Sequence, residues 1–280
     1  MTDLKPLSVP ALMRKHGLSA RKSLGQNFLL DETALEKVVA AAEIPANATV
    51  LEIGPGLGSL TRHLARAAAH VVAVELDADI LPALQEALGD AQNVTVIHGD
   101  ILQQEMASLI DEPGYLVVAN IPYYITSAVI RHLLEAPVKP ARLVLTMQKE
   151  VAERICAKPG DLSLLALSVQ VYGSPRPAAR IPAGAFYPPP KVDSAVLRVD
   201  LYPQPRIPED QLDTFFHLAK LAFAQKRKTL RNTLSAGLRW PPERAAGLLA
   251  EAGIDPMRRA ETLSLDEWAQ MVSVYRRETP

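Results

Sequence analysis

The segment Leu51-Glu-Ile-Gly-Pro-Gly-Leu-Gly-Ser constrains this chain more than any other. Gly54, Gly56 and Gly58 stand at alternate positions between the β-branched run 49–53 and a helical stretch over 59–69. A strand that turns through glycines straight into a helix is a unit of an α/β sheet. In such sheets ligands bind at the carboxyl ends of the strands, where glycine lets them approach the backbone.

The pattern continues on both sides. Apolar β-branched runs at 49–53, 70–75, 94–98, 115–119 and 142–146 read as strands, and 195–200 reads as a closing strand. Between them, 59–69, 78–88 and 127–134 read as helices, with another starting near Lys149. Strands alternating with helices predict a mainly parallel sheet covered on both faces. Ahead of it, Asp31 followed by Ala34, Leu35, Val38 and Val39 predicts a capped amphipathic helix, and residues 1–22 are expected to be mobile. Pro203, Pro205 and Pro208 forbid a helix or central strand and mark a boundary. Beyond them, 211–234, 242–251 and 265–276 carry helical patterns, which predicts a small all-helical domain. The expected division is a flexible N-terminal segment 1–30, an α/β domain 31–202 and a helical domain 203–280.

Several classes of protein are excluded. The first twenty residues hold no apolar stretch of the kind a secretory signal needs, and no run is long enough to span a membrane. Cys156 is the single cysteine, so no internal disulfide forms; a packed, inert thiol on a helix in a reducing cytoplasm is expected. The six histidines make no i, i+4 pair and no cluster with cysteine, and no metal is expected. The formal net charge of −1 hides an asymmetry: residues 31–135 hold four basic and fifteen acidic side chains, while the segments on either side are net basic. With a pI of about 6.6, the charge is compatible with nucleic acid without demanding it.

Two loops carry the chemistry. Glu75, at the end of the second strand, is placed to accept hydrogen bonds from ribose hydroxyls beside Gly54 and Gly56, and Asp100, at the end of the third, to accept from an adenine amine. The glycines are spaced G-x-G-x-G rather than G-x-G-x-x-G, and the loop holds no lysine or arginine for a pyrophosphate. A cationic ligand without phosphate, such as S-adenosylmethionine, suits it. After the fourth strand comes Asn120-Ile-Pro-Tyr-Tyr-Ile. The Asn120 amide oxygen and the carbonyl of Ile121 or Pro122 can accept from a planar exocyclic amine, and Tyr123 can stack on the ring that bears it. Two acceptors favour the pyramidal nitrogen that attacks a methyl group, so orientation and electrostatics suffice without a strong base.

At this point the sequence resembles the ribosomal RNA adenine dimethylases of the KsgA/RsmA type. The resemblance rests on Lys22-Ser-Leu-Gly-Gln-Asn-Phe-Leu, the glycine segment, Asn120-Ile-Pro-Tyr, Phe186-Tyr-Pro-Pro-Pro-Lys-Val-Asp-Ser-Ala-Val and Phe223-Ala-Gln-Lys-Arg-Lys-Thr-Leu-Arg. The glycine and Asn-Ile-Pro-Tyr motifs recur in other methylases, so the Pro-Lys-Val-Asp-Ser and Gln-Lys-Arg-Lys-Thr-Leu segments are the specific ones. The resemblance implies a Rossmann-like S-adenosylmethionine-dependent methyltransferase domain with a small all-helical C-terminal domain. It implies that Asn27, Leu29, Gly54, Gly56, Glu75, Asp100 and Asn120 contact S-adenosylmethionine, with residues 26–28 closing over it. It implies further that Asn120, the Pro122 carbonyl and Tyr123 position the target adenine while Phe186 stacks from the other side. The implied reaction is dimethylation of two adjacent adenosines in the 3′-terminal hairpin of 16S rRNA, in the small ribosomal subunit or its precursor, by a cytoplasmic monomer.

In a continuous helix over 211–234, Lys220, Arg227 and Arg231 fall within about 40° of one another. A solvated face is the ordinary fate of such a stripe. The resemblance assigns it, with Lys226 and Lys228, to RNA, whereas Arg258 and Arg259 are read as surface charges. Two rivals remain: a large-subunit rRNA adenine methylase of the macrolide-resistance type, and a non-catalytic ribosome assembly factor.

Overall fold

The computed structural model describes residues 4–279. Its first elements are helix α1 (Val9–Lys15), strand β1 (Phe28–Leu29) and helix α2 (Glu32–Ala42). The α/β succession follows: β2 (Thr49–Ile53), α3 (Ser59–Ala67), β3 (His70–Glu75), α4 (Leu81–Leu88), β4 (Val94–His98), α5 (Met106–Leu109), β5 (Leu116–Asn120), α6 (Thr126–Glu135) and β6 (Arg142–Gln148). Next come α7 (Lys149–Ile155), α8 (Leu164–Gln170), β7 (Gly173–Ile181), β8 (Phe186–Tyr187) and β9 (Ser194–Leu201). The chain ends in α9 (Leu212–Phe223), α10 (Leu230–Leu238), α11 (Pro242–Glu251) and α12 (Leu265–Glu278).

The described chain forms two compact units. One is the chain up to Ala152 with Pro175–Leu201, the other Glu153–Ser174 with the chain from Tyr202 onward. The break at Tyr202 falls where the prolines place it. Residues 153–174, which the sequence reading leaves in the α/β domain, belong to the helical unit: Gly160 and Leu162 donate backbone hydrogen bonds to the Glu261 carbonyl at 2.9 and 3.2 Å. Such long-range backbone pairing leaves no trace in local pattern.

In the first unit seven strands lie in the order β4-β3-β2-β5-β6-β9-β7. The pairs β3/β4, β2/β3, β2/β5 and β5/β6 are parallel, and β6/β9 is antiparallel. The central strands are apolar on both faces, as strands covered by helices must be; Val50, Leu51, Val117, Val118, Val144 and Leu145 are buried. The winding runs outward from β2 to β4 and then returns to the other side of β2 at β5. That reversal is the switch point at which ligands bind in open α/β sheets. β7 is not legible in sequence because Pro175 and Pro177 interrupt it, and it sits at the sheet edge, where the missing N–H groups cost least.

The expectation that residues 1–22 are mobile is corrected. Val9, Leu12 and Met13 of α1 are buried in a cluster with Phe28, Leu57, Ile80 and Ala83; residues 1–3 lie outside the described range. Asp31 caps α2 through a 2.8 Å bond from Ala34 N, as its spacing predicts. The far end of α2 is closed by arginines of the sheet. Arg142 donates to the Ala42 carbonyl at 2.5 Å and Arg198 to the Ala41 carbonyl at 3.0 Å, while both bond Asp200 and Arg198 also holds Glu43.

In the helical unit Trp268 and Phe215 are fully buried and meet edge to face, with ring centroids 5.9 Å apart. The predicted helix 211–234 is two helices. α9 stops at Phe223, and the Leu230 and Arg231 amides that open α10 donate to the carbonyls of Arg258 and Pro256. Those long-range acceptors end one helix and start another where the period alone continues. The Lys220, Arg227 and Arg231 stripe therefore does not exist as drawn: Lys220 is on α9, Lys226, Arg227 and Lys228 are in the exposed turn, and Arg231 is on α10. Arg258 is a structural residue rather than a surface charge, paired to Glu267 and bonded to the Thr262 carbonyl at 2.7 Å. Cys156 lies one residue past α7, half-buried, and burial raises its thiol pKa.

Candidate functional site

The pocket lies at the reversal point, at the carboxyl ends of β2, β3, β4 and β5. The turn after β2 begins with Gly54 at φ +68°, a left-handed conformation that a side chain would strain, and its N–H donates to the Val74 carbonyl at 2.9 Å. A Cβ on Gly54 would meet nothing within 4 Å, so the residue is needed for backbone shape and for the space beyond it. Gly56 answers a different need: a Cβ there would come within 3.0 Å of the Phe28 ring.

Glu75 ends β3 and is 6% exposed. Its carboxylate clasps the loop, with Oε2 accepting from Gly56 N at 3.0 Å and Oε1 from Asp77 N at 2.8 Å. Burial pushes its pKa up, and the two N–H groups pull the other way. Each oxygen keeps a lone pair for a ligand hydroxyl. Asp100 opens a short turn by accepting from Leu102 N at 3.0 Å through Oδ1.

Asn120 ends β5. Its Nδ2 donates to the Asn27 carbonyl at 3.0 Å, which fixes the amide and leaves Oδ1 as an acceptor; Asn27 in turn donates to the Gly25 carbonyl at 3.0 Å. The Pro122 carbonyl accepts from Ile125 N at 3.2 Å and from the Thr126 hydroxyl at 3.4 Å. The Tyr123 hydroxyl lies 2.8 Å from Ser194 Oγ, and burial raises the phenol pKa against the pull of that bond.

The structure brings nine sequence-predicted residues to the wall of one pocket: Asn27, Leu29, Gly54, Gly56, Glu75, Asp100, Asn120, Pro122 and Tyr123. Phe186 is not among the lining residues. β8 pairs with β1 so that Phe186 faces Leu29, and strand alternation sends Phe186 into the core, 3% exposed, and Tyr187 outward, 42% exposed. Lys220, Lys226, Arg227, Lys228 and Arg231 lie in the other unit.

Three site residues escape sequence reasoning. Asp77 is 3% exposed and holds the segment that borders the pocket, with Oδ1 bonded to Arg21 at 2.6 Å and Oδ2 to Gln26 at 2.8 Å; Arg21 also pairs with Asp79. Glu52 lines the pocket at 1% exposure, and its Oε2 has no hydrogen-bond partner. Burial lifts its pKa to about 8, with the Thr61 hydroxyl pulling it down and the Glu75 carboxyl pushing it further up. Ser194 is the third. The Leu-Glu-Ile-Gly signature contains Glu52 and the Val-Asp-Ser motif contains Ser194, but only the fold gives either a neighbour.

The lining holds three carboxyl side chains, Glu52, Glu75 and Asp100, and no lysine, arginine or histidine. Such a wall favours a ligand that brings positive charge and hydrogen-bond donors. It sits beside an amide oxygen and an aromatic face, the acceptor set for a planar amine.

Residues 17–277 match the sequence model for "Ribosomal RNA adenine dimethylase". The chain belongs to the ribosomal RNA adenine dimethylase family. Among curated relatives of this dimethylase, "Ribosomal RNA small subunit methyltransferase A" of Dehalococcoides mccartyi strain CBDB1 is 48% identical over 266 residues, covering 94% of this chain and 91% of the relative. The protein of that name from Enterococcus faecalis is 40% identical across the full length of both chains. Among solved structures, the 23S rRNA methyltransferase ErmE superposes with a TM-score of 0.71 at 29% identity, covering 89% of this chain and 99% of that one. A dimethyladenosine transferase from Plasmodium falciparum shares the dimethylase fold, with a TM-score of 0.76 at 23% identity, over 90% of this chain and 98% of the other.

Proposed function

We propose that this dimethylase transfers methyl groups from S-adenosylmethionine to the exocyclic amines of two adjacent adenosines in the 3′-terminal hairpin of 16S rRNA. It would do so in the cytoplasm, on the small ribosomal subunit or its precursor. The observation that carries the reading is the Asn120 amide, held by the Asn27 carbonyl so that its oxygen is an acceptor in the same pocket as Glu75 and Asp100.

The residues present fit S-adenosylmethionine. Glu75 has lone pairs for two ribose hydroxyls, Asp100 an oxygen for the adenine amine, and Gly54 leaves room for the sugar. The absence of basic side chains from the lining suits a cation without phosphate. When bound, this cofactor supplies an electrophilic methyl group on a cationic sulfur.

The protein's contribution is placement. Asn120 Oδ1 and the Pro122 carbonyl, the latter by giving up its long bond from Thr126, accept the two N–H groups of the target amine, which turns the nitrogen lone pair out of the ring plane. Tyr123 offers its face to the unstacked base, a common way of holding an extruded adenine. Residues 21–28, tied down by Asp77 and by the Phe28 contact with Gly56, exclude water from one side. Lys226, Arg227 and Lys228, exposed together in the turn between α9 and α10, are the cations we assign to RNA phosphates.

The small-subunit reading is favoured over the large-subunit one by the similarity to relatives named for the small subunit, 40% to 48% identical, against 29% for ErmE. The test is methyl transfer to unmodified small and large subunits in parallel, with mass spectrometry of the digested RNA. Dimethyladenosine in the small subunit alone is expected. Label in the large subunit, or binding without label in either, overturns the reading.

A further inference from the structure

The Pro-Lys-Val-Asp-Ser segment carries much of the family resemblance, yet none of its side chains reaches the pocket wall. Its last residue touches the pocket through another. Ser194 is fully buried at the start of β9, paired in register with Gln148 of β6, and its Oγ lies 2.8 Å from the Tyr123 hydroxyl. The residues are 71 positions apart, so the contact is made by the fold alone.

Ser194 has little freedom to move. Asp193, just before it, is fixed on three sides: Oδ1 accepts from Ala183 N at 3.0 Å, Oδ2 from Arg180 Nη2 at 2.6 Å, and its carbonyl from Lys149 N at 3.1 Å. The other end of Tyr123 is held as well. Thr126, itself buried, donates to the Tyr123 carbonyl at 3.2 Å. The tyrosine is therefore gripped at its backbone and at its phenol oxygen, leaving the ring face between as the part that meets the pocket.

An aromatic ring held only at its Cβ swings about broad side-chain torsions. Methyl transfer punishes that freedom, because displacements near 1 Å from a near-attack geometry cost about 100-fold in rate. We propose that Ser194 is a positioning residue for the methyl transfer: its hydroxyl tethers that of Tyr123 and so fixes the plane against which the target adenine stacks. The inference rests on the reading that Tyr123 faces the adenine. The phenol is then a handle rather than a proton donor to substrate, and the motif works as a rigid mount for it.

The test compares Ser194→Ala, Ser194→Thr, Tyr123→Phe, the Ser194→Ala/Tyr123→Phe pair and Tyr123→Ala, using unmodified small subunits and S-adenosylmethionine. Loss of one hydrogen bond of this kind predicts a fall in kcat of about tenfold for Ser194→Ala and for Tyr123→Phe. The KM for subunits stays unchanged, the protein remains folded at the assay temperature, and the pair is no slower than either single variant. Ser194→Thr, which keeps the hydroxyl, restores most of the rate. If Ser194→Ala does not fold, Tyr123→Phe breaks the same tether with Ser194 in place and must show the same fall in kcat. A wild-type kcat for Tyr123→Phe, or losses that multiply in the pair, overturns the proposal. Tyr123→Ala distinguishes this from the underlying reading: if it keeps full activity, the stacking role itself is wrong, whereas if it is inactive while Ser194→Ala is at full rate, only the tether is.

Discussion

Replacing Glu52 with glutamine is expected to make the protein more stable at neutral pH, although the change is made in the wall of the functional pocket. The carboxyl is 1% exposed, and burial lifts its pKa from 4.5 to about 8. Between those values the folded chain keeps a proton that the unfolded chain has released. Unfolding then releases a proton, so stability falls as pH rises through this window, by about 1.4 kcal/mol per pH unit. Below the lower value both states are protonated and the penalty vanishes; above the upper value it is constant. Over two pH units, from about pH 5.5 to about pH 7.5, wild type should lose roughly 3 kcal/mol relative to the Glu52→Gln protein. Urea unfolding of both proteins at both pH values measures this, and taking the difference removes every other titration they share. A difference that does not change with pH would refute the reasoning, because it would mean that Glu52 is already ionised in the folded protein.

Asn120→Ala is expected to lower kcat for methyl transfer at least about 100-fold, read by single-turnover assay at saturating cofactor. Asp77→Ala frees the Gln26 amide and leaves Arg21 held only by Asp79, and should speed amide exchange across residues 21–28 and weaken S-adenosylmethionine binding about tenfold; unchanged protection would remove Asp77 as the latch. Arg198→Met strips the Ala41 carbonyl of its donor and Glu43 and Asp200 of one shared partner, and an unfolding titration should show a loss of stability. Alanine at Lys226 or Arg227 should weaken binding to small subunits and reduce the slope of log affinity against log salt by about 1 each.

What could be read in sequence follows a physical line. Strands β2, β3 and β4 match their predicted limits because each is a short run rich in β-branched residues, with turn residues beyond both ends of β2 and β4 and Asp77 beyond the end of β3. The pocket residues from Gly54 to Tyr123 were legible for the same reason: in an α/β sheet the loop after each strand reaches the same edge, so order along the chain predicts convergence in space. Features made by distant partners were not legible. The break between α9 and α10 depends on the carbonyls of Pro256 and Arg258. The inward turn of Phe186 depends on a two-residue pairing with Phe28 and Leu29. Asp77 has an ordinary local role as a turn residue, and only the fold brings Arg21 to it, 56 positions away.

The parallel pairing of β2 with β5 sets a scale for the reaction. The glycine turn leaves one of these strands and the Asn120 loop leaves the other, so the two loops start one strand spacing apart, about 4.8 Å. Main-chain hydrogen bonds, the least compressible ruler a protein possesses, hold that gap. The side chains around the pocket can be reshaped while the distance between the origins of the two loops stays fixed beneath them. Conversely, a substitution deep in the sheet, at Leu51 or Val117 where the two strands are in register, can detune catalysis without altering a single residue that meets a ligand.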